Sequence, residues 1–179
     1  MFKAILVDQH DGQSRAEYKS IANSELPAGD VTVRVSWSTL NYKDALAVTG
    51  AGPVLRSHPM IPGIDLAGVV EASEAPEYKP GDQVILSGWG VGESHWGGLS
   101  QRAKVNSAWL TPLPASLSLK RAMAIGTAGY TAMASIAALE KWGVSKSDGS
   151  VLVTGANGGV GSIAVMLLAK RGYRVVAST

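Results

Sequence analysis

The stretch from Val151 to Thr179 constrains the fold more than any other part of the chain. Its first residues, Val151–Val153, form a short apolar run with two β-branched side chains, which is typical of a parallel strand buried on both faces. A glycine turn follows, and then an apolar helix face that Gly172 ends as a C-terminal cap. That face is predicted to contain Ile163, Val165, Met166, Leu167 and Leu168. Because Val175–Ala177 predict a second strand, the stretch as a whole predicts one βαβ unit.

The glycine turn matches a fingerprint for dinucleotide binding. Its residues follow Gly-x-Gly-x-x-Gly with an alanine, Ala156, at the first glycine position. A small residue at 156 makes the tight turn, Gly158 lets a pyrophosphate approach the backbone, and Gly161 lets the helix pack closely on the strand. The pyrophosphate then meets free N–H groups at the positive end of the helix. The residues predicted to bind it are Ala156, Asn157, Gly158, Gly159, Val160, Gly161 and Ser162; a purely structural βαβ turn is the alternative.

The position of this fingerprint bears on how many domains the chain contains. The 179 residues, 46% of them hydrophobic, suffice for one ordinary domain or for one domain and part of another. A dinucleotide-binding fold needs two βαβαβ halves, yet the fingerprint begins so late that the chain stops inside the first half. We therefore expect a truncated chain, either a fragment or a partial record of a longer protein, with domain limits at 1–113 and 114–179.

Composition excludes several classes of protein. The net charge of +2 comes without a run of Lys or Arg, so we expect no nucleic-acid partner. The absence of cysteine excludes disulfides, thiol nucleophiles and cysteine zinc sites. Met1–Val7 lacks the apolar core of a signal peptide, and no apolar run is predicted to span a bilayer. We expect a cytoplasmic protein with no membrane partner, although compartments reached by other routes stay open.

The part before the fingerprint is rich in short strands separated by glycine and proline turns. This pattern predicts an α/β protein that begins with a small antiparallel barrel, from Met1 to about Leu113. Strands are predicted at 2–7, 31–37, 64–72, 83–86, 99–105 and 108–110, with an outer hairpin within 11–24. The long loop Ser87–Gly98 is of the kind that is usually functional. Helices are predicted at 118–125 and 130–142, separated by a break at 126–129.

The order of motifs along the chain resembles the medium-chain dehydrogenase/reductase superfamily. The motifs are NYKDA at 41–45, PGIDLAGVV at 62–70, PGDQV at 80–84, GTAGYTA at 126–132 and TGANGGVG at 154–161. Within that superfamily, Gly88–Leu99 looks like the zinc-free branch of acryloyl-CoA reductases, also described as quinone-oxidoreductase-like proteins. The resemblance implies a GroES-like catalytic domain followed by the first βαβ of a Rossmann domain. It also implies NADPH as the cofactor, a homodimer, and a full length of roughly twice this chain.

Two departures from the zinc-using relatives indicate the reaction. Gly63-Ile64-Asp65 stands where those enzymes carry Gly-His-Glu, and their cysteine ligand near Asn41 is absent. The three histidines lack metal-ligand spacing, so no metal is expected. Hydride transfer without a Lewis acid suits an activated acceptor, such as an alkene conjugated to a thioester, or a quinone. The predicted function is NADPH-dependent reduction of a small α,β-unsaturated acyl-CoA; a quinone reductase, or a nucleotide-binding protein without turnover, is the alternative.

The predicted catalytic residues are Asn41 and Asp44, in a loop that the resemblance places beside the nicotinamide. Asn41 would donate a hydrogen bond to a developing oxyanion, and Asp44 would orient Lys43 or a water that delivers the proton. Helix capping is the alternative for both residues. Tyr42 is expected to pack on the nicotinamide or its ribose.

The remaining cofactor contacts are predicted at two places. Thr127 and Thr131 carry hydroxyls near the nicotinamide half of the family's site, the alternative being a helix break with Thr131 bonded back to the preceding turn. The residues at the end of the second strand, Ser178 and Thr179, are not acidic, which favours NADPH with Ser178 contacting the 2′-phosphate; the positions where an Arg would settle the choice lie beyond Thr179.

The aromatic residues of the glycine loop, Ser87–Gly98, admit two interpretations. Trp89, His95 and Trp96 either wall an acyl pocket or anchor the loop by aromatic packing.

Overall fold

The computed structural model describes the backbone of residues Met1–Thr179 and every side chain except that of His10. It forms two compact units, Met1–Ala124 and Ile125–Thr179. The chain passes from one to the other within a helix, just before a break at Gly126, where φ is 49° and ψ is −162°. The domain limits predicted at 1–113 and 114–179 stay a prediction.

The first unit contains a two-stranded hairpin and a five-stranded antiparallel sheet. Its strands are β1 (Phe2–His10), β2 (Gln13–Ile21), β3 (Val31–Ser38), β4 (Asp65–Ser73), β5 (Gln83–Ser87), β6 (Arg102–Val105) and β7 (Thr111–Pro112). β1 pairs with β2, and the larger sheet has the order β6-β3-β4-β5-β7. A short helix, α1 (Tyr42–Thr49), follows β3.

Alternation of residue types explains the core of this unit. Val31 and Val33 of β3 are fully buried, whereas Thr32 and Arg34 face away from the core. They pack in one cluster with apolar residues of the neighbouring strands: Leu66, Val70, Val84, Leu86, Ala103 and Val105. The sheet therefore holds the ends of β3, β4 and β5 in fixed register around the start of α1.

The second unit contains the predicted βαβ arrangement. Helix α2 (Leu119–Lys141) leads to β8 (Ser150–Thr154), α3 (Gly159–Lys170) and β9 (Arg174–Ser178), and β8 and β9 pair in parallel. Gly143, with φ of 89°, follows the end of α2. The core of the unit is formed by Ile136, Leu168 and Tyr173.

Several predicted elements differ from the structure. The strand predicted at 108–110 is wrong, because Ser107–Trp109 form a 3₁₀ turn in which the Asn106 side chain accepts a bond from the Ala108 N–H at 2.9 Å. The hairpin predicted within 11–24 is a single strand that pairs with β1. The strand β8 is not buried on both faces, since Leu152 is 61% exposed. Met166 of the predicted helix face is also exposed, because only one side of α3, with Leu167 and Leu168, packs into the core.

Helix α2 is long and apolar enough, by length and composition, to cross a membrane, with a mean hydropathy of 1.4. The expectation that no apolar run reaches that length is therefore wrong. The break at Gly126 divides this helix into two parts, each shorter than the roughly 20 residues that a span needs, so the helix reaches that length only when both parts are counted together.

Candidate functional site

The start of α1 is fixed by the carboxylate of Asp44. Asp44 is buried, and its Oδ2 accepts a hydrogen bond from the backbone N–H of Asn41 at 2.8 Å. Its Oδ1 accepts from the N–H of Ile64, the residue before β4, at 3.0 Å. Asp44 thus caps the helix and ties it to the sheet, as the capping alternative predicts.

The side-chain amide of Asn41 lies between two buried carboxyl groups. Its Nδ2 donates to Asp44 Oδ2 at 3.3 Å and to Asp65 Oδ2 at 2.8 Å. Because carboxylate oxygens accept hydrogen bonds, they fix the amide with its nitrogen toward the acids and Oδ1 as the remaining polar atom. Donation from Asn41 to an oxyanion requires one of these bonds to break, so that predicted role stays a prediction.

Lys43 does not contact Asp44. Its Nζ forms an ion pair with Glu93 of the glycine loop, and the Glu93 carbonyl accepts a bond from the N–H of Arg56 at 2.8 Å. Both carboxylate oxygens of Asp44 bond to Asn41 and Ile64, and the structure shows no bond from Asp44 to Lys43; the predicted role of Asp44 in orienting Lys43 or a water stays a prediction. Tyr42, predicted to pack on the cofactor, is exposed.

The three aromatic residues of the glycine loop lie in different environments. His95 Nε2 donates to the carbonyl of Lys104 at 2.7 Å, and its ring meets Trp109 edge to face at 5.1 Å. Trp96 Nε1 donates to the carbonyl of Pro59 at 3.1 Å. These two side chains anchor the loop, whereas Trp89 is exposed.

In the second unit, the fingerprint turn folds around a glycine outside the predicted set. Gly155 has φ of 59°, which glycine adopts readily, and its carbonyl accepts from the N–H of Gly158 at 2.9 Å. A Cβ on Gly161 would lie 2.3 Å from the Gly155 oxygen, so the helix packs directly on the turn. The tight turn is therefore made at Gly155 rather than at Ala156; the sequence signal for it was the glycine that follows Thr154.

The start of α3 fits a dinucleotide pyrophosphate. The N-cap, Gly158, has no side chain to cap the helix, so first-turn N–H groups are left for an anion. The backbone N–H of Ala156 donates to the carbonyl of Ser178 at 3.0 Å, which brings the end of β9 to the turn. The predicted contacts Ala156–Ser162 and Ser178 are thus gathered in one place, although their roles stay predictions.

The other predicted contacts in this unit lie on α2. The Thr131 hydroxyl donates to the carbonyl of Thr127 at 2.7 Å, one turn earlier, as the back-bonding alternative predicts. Roles of Thr127 and Thr131 toward a nicotinamide stay predictions.

A separate cavity of about 640 Å³ lies in the first unit, between the β1–β2 turn and the loop after α1. None of the predicted site residues line this cavity, so it is not part of the candidate site. Among the residues with described side chains, no three His, Cys, Asp or Glu are placed to share a metal ion.

Comparison with known proteins identifies the family. Residues 27–115 match the alcohol dehydrogenase GroES-like domain. The chain is 56% identical over 175 residues to a probable acrylyl-CoA reductase, AcuI, of Escherichia coli, covering 98% of this chain and 54% of that protein. It is 58% identical, with a TM-score of 0.96, to the yhdH oxidoreductase of Salmonella enterica in complex with NADP, covering 98% of this chain and 54% of that one. The chain belongs to the medium-chain dehydrogenase/reductase family.

A third relative in this family carries a different name and nucleotide. YhfP of Bacillus subtilis, a putative quinone oxidoreductase, is 48% identical, covering all of this chain and 54% of that protein. Its structure has NAD bound and superposes with a TM-score of 0.94. The predicted membership and the predicted order of a GroES-like unit before a βαβ unit are confirmed. The chain spans about half the length of the curated relatives it matches.

Proposed function

We propose that this chain belongs to an NADPH-dependent reductase that transfers hydride to the activated C=C bond of a small α,β-unsaturated acyl-CoA, such as acryloyl-CoA. The observation that carries the proposal is the fingerprint turn, in which an uncapped helix start meets the end of β9. The substrate class is supported by the identity with a probable acrylyl-CoA reductase.

The choice of NADPH over NADH rests on the end of β9. Enzymes that use NAD place an acidic residue there for the ribose hydroxyls, whereas this chain has Ser178 and Thr179. The Salmonella relative was solved with NADP, in keeping with this choice, and the Bacillus relative with NAD. We assign Ser178 to the 2′-phosphate and Ala156–Ser162 to the pyrophosphate.

NADPH, when bound, supplies a hydride for the β carbon of the substrate. In the first unit, Asp44 and Asp65 hold the Asn41 amide in one orientation. Both carboxyl groups accept from the nitrogen of that amide, and its oxygen faces the N–H of Asp44 in a capping box, so Asn41 would reach a ligand by exchanging one of these bonds. Asp44 positions Asn41, since its two oxygens bond to the N–H groups of Asn41 and Ile64. The α carbon must also gain a proton, for which Lys43 and a water are both candidates.

A quinone reductase is the second candidate. The Bacillus relative, a putative quinone oxidoreductase, favours it. The same hydride chemistry would serve a quinone, whose oxygens need hydrogen-bond donors in place of a thioester pocket.

We further propose that the protein acts as a homodimer on a small-molecule substrate in the cytoplasm. The bacterial relatives, a probable acrylyl-CoA reductase and a putative quinone oxidoreductase, support the small-molecule substrate. The homodimer is supported by the family resemblance alone.

The test follows the absorbance of NADPH with the full-length protein and either acryloyl-CoA or a benzoquinone. Oxidation with acryloyl-CoA alone, inhibited competitively by coenzyme A, is the expected result. Oxidation with the quinone alone would move the function to quinone reduction. Binding of NADPH without oxidation by either acceptor would leave a nucleotide-binding protein without turnover.

A further inference from the structure

The backbone that leads into Trp89 is bonded to residues of the Asn41 network. Trp89 comes two residues after the end of β5, whose last residue, Ser87, pairs with Asp65. The intervening Gly88 donates its N–H to the carbonyl of Ile64 at 2.9 Å. Ile64 and Asp65 are also the residues that bond to Asp44 and Asn41, so the backbone next to Trp89 is tied to the same two residues as the candidate site.

The backbone of Trp89 is strained for a bulky residue. Its φ is 58°, in the left-handed region, where residues other than glycine, asparagine and aspartate are disfavoured. Its neighbours Gly88 and Gly90 also have positive φ, at 84° and 78°. A glycine at 89 would fit this run without strain, so local conformation does not explain the tryptophan.

Packing within the chain does not explain the tryptophan at position 89 either. The residue is 64% exposed, so its indole gains little from burial within the chain. Among the side chains that the structure describes, no aromatic or cation–π contact includes Trp89, whereas Trp37 stacks under Lys120 at 5.2 Å. The loop is already anchored by His95 and Trp96. Strained residues that the fold does not require are concentrated at ligand sites.

We propose that Trp89 is a substrate-binding residue, whose indole face packs on the flat, conjugated acyl thioester of an α,β-unsaturated acyl-CoA. This inference rests on the proposed function. An enoyl thioester is planar and weakly polar, so it offers an aromatic face the same contact that another π-system would. The exposed Leu40 and Tyr42, on either side of Asn41, add apolar surface next to the same network.

The test compares Trp89→Gly, Trp89→Asn and Trp89→Phe in the full-length protein, measuring Tm and the KM values for acryloyl-CoA and NADPH. Gly and Asn both accept a left-handed backbone, so we expect Tm to be unchanged or raised by about 1–3 °C. The KM for acryloyl-CoA rises about tenfold in both, and less in Trp89→Phe. The KM for NADPH stays within about twofold of the original value.

Trp96→Phe is the matched control within the same loop. It loses the bond to the Pro59 carbonyl, so it lowers Tm and leaves the KM for acryloyl-CoA unchanged. A Trp89→Gly protein with lowered Tm and normal KM would assign Trp89 to structure, and a raised KM for NADPH alone would assign it to the nucleotide; either overturns the inference. If the original protein oxidises NADPH only with a quinone, or with neither acceptor, the proposed function and the inference both fail.

Discussion

Two glycines of the fingerprint turn serve different purposes at the level of single atoms. A Cβ on Gly161 would lie 2.3 Å from the Gly155 oxygen and 2.9 Å from the Ala156 Cα, which no real Cβ tolerates. A Cβ on Gly158 would meet only the Gly155 oxygen, at 3.2 Å. Gly161 is therefore required by packing within the chain, whereas Gly158 leaves room in front of the helix start.

This difference predicts opposite outcomes for two alanine substitutions. Gly161→Ala forces the turn to move and lowers the free energy of unfolding by about 1–3 kcal/mol. Gly158→Ala costs less than about 1 kcal/mol, yet it raises the Kd for NADPH at least about tenfold, since its methyl group stands where a pyrophosphate approaches the backbone. Denaturant unfolding and NADPH titration of the full-length protein measure the two effects.

Gly52→Ala is the control for that comparison, because its Cβ would lie at an ordinary 3.4 Å from the Leu46 side chain in the first unit. It should change neither stability by more than about 0.5 kcal/mol nor nucleotide affinity. Normal NADPH affinity in Gly158→Ala would contradict the assigned role of that residue.

In the candidate site of the first unit, the sequence predicted some residues and missed another for a physical reason. Asn41 and Asp44 stood out because they lie three positions apart at a helix start, a local spacing. The partner of Asn41 on its other side, Asp65, comes from a different strand, and only the pairing of β3 with β4 brings the two together. The direction in which the amide points follows from that distant contact, so local spacing does not predict it.

At the level of elements, periodicity and turn residues predicted most strands but not the segment after β6. The alternating valines of β3 are buried as expected. Residues 108–110 have strand-like apolar character, yet the Asp30 side chain accepts bonds from the Ser107 N–H at 2.6 Å and its hydroxyl at 2.8 Å. These bonds hold the turn Ser107–Trp109 against the start of β3. Side-chain capping of this kind overrides strand propensity.

Asp30 makes the stability of the first unit depend on pH. Burial acts to raise its pKa, but the Ser107 bonds and the charge of Lys104 outweigh burial, so the pKa lies below the ordinary value of 3.8. A carboxyl group with a lowered pKa stabilises the fold above its ordinary value, and that stabilisation is lost as the pH falls through the folded pKa. Asp30→Asn should therefore lower the free energy of unfolding by about 1–2 kcal/mol at neutral pH.

Thermal unfolding at neutral pH and near pH 3 measures this effect. The difference in Tm between Asp30→Asn and the original protein should shrink at the lower pH, where Asp30 begins to bind a proton. Asp11→Asn is the control, because Asp11 lies in the β1–β2 turn with φ of 51°, a conformation that asparagine also adopts. An equal difference in Tm at both values would show that the charge of Asp30 does not contribute.

For the whole molecule, the order of units along the chain was predictable, whereas the surface of the second unit was not. Apolar runs such as Val151–Val153 are typical of strands covered on both faces. In the structure, Val151, Val153 and Val175 pack against the core, but Leu152 and Val176 pair across β8 and β9 on the opposite face. They are 61% and 50% exposed. A run of apolar residues does not show which face of the strand is covered by other elements.

This bare face predicts how the isolated 179-residue polypeptide behaves. A two-stranded parallel sheet with an exposed apolar face and open edges favours association with other copies, so we expect concentration-dependent self-association and weak NADPH binding. Leu152→Thr places a β-branched residue, which suits a strand, at this position while removing apolar surface, and should reduce association at least about twofold. Leu40→Thr, which removes an even more exposed leucine from the first unit, should leave the association unchanged. Sedimentation velocity over a range of concentrations measures the association, and tight NADPH binding by a monomeric polypeptide would refute the prediction.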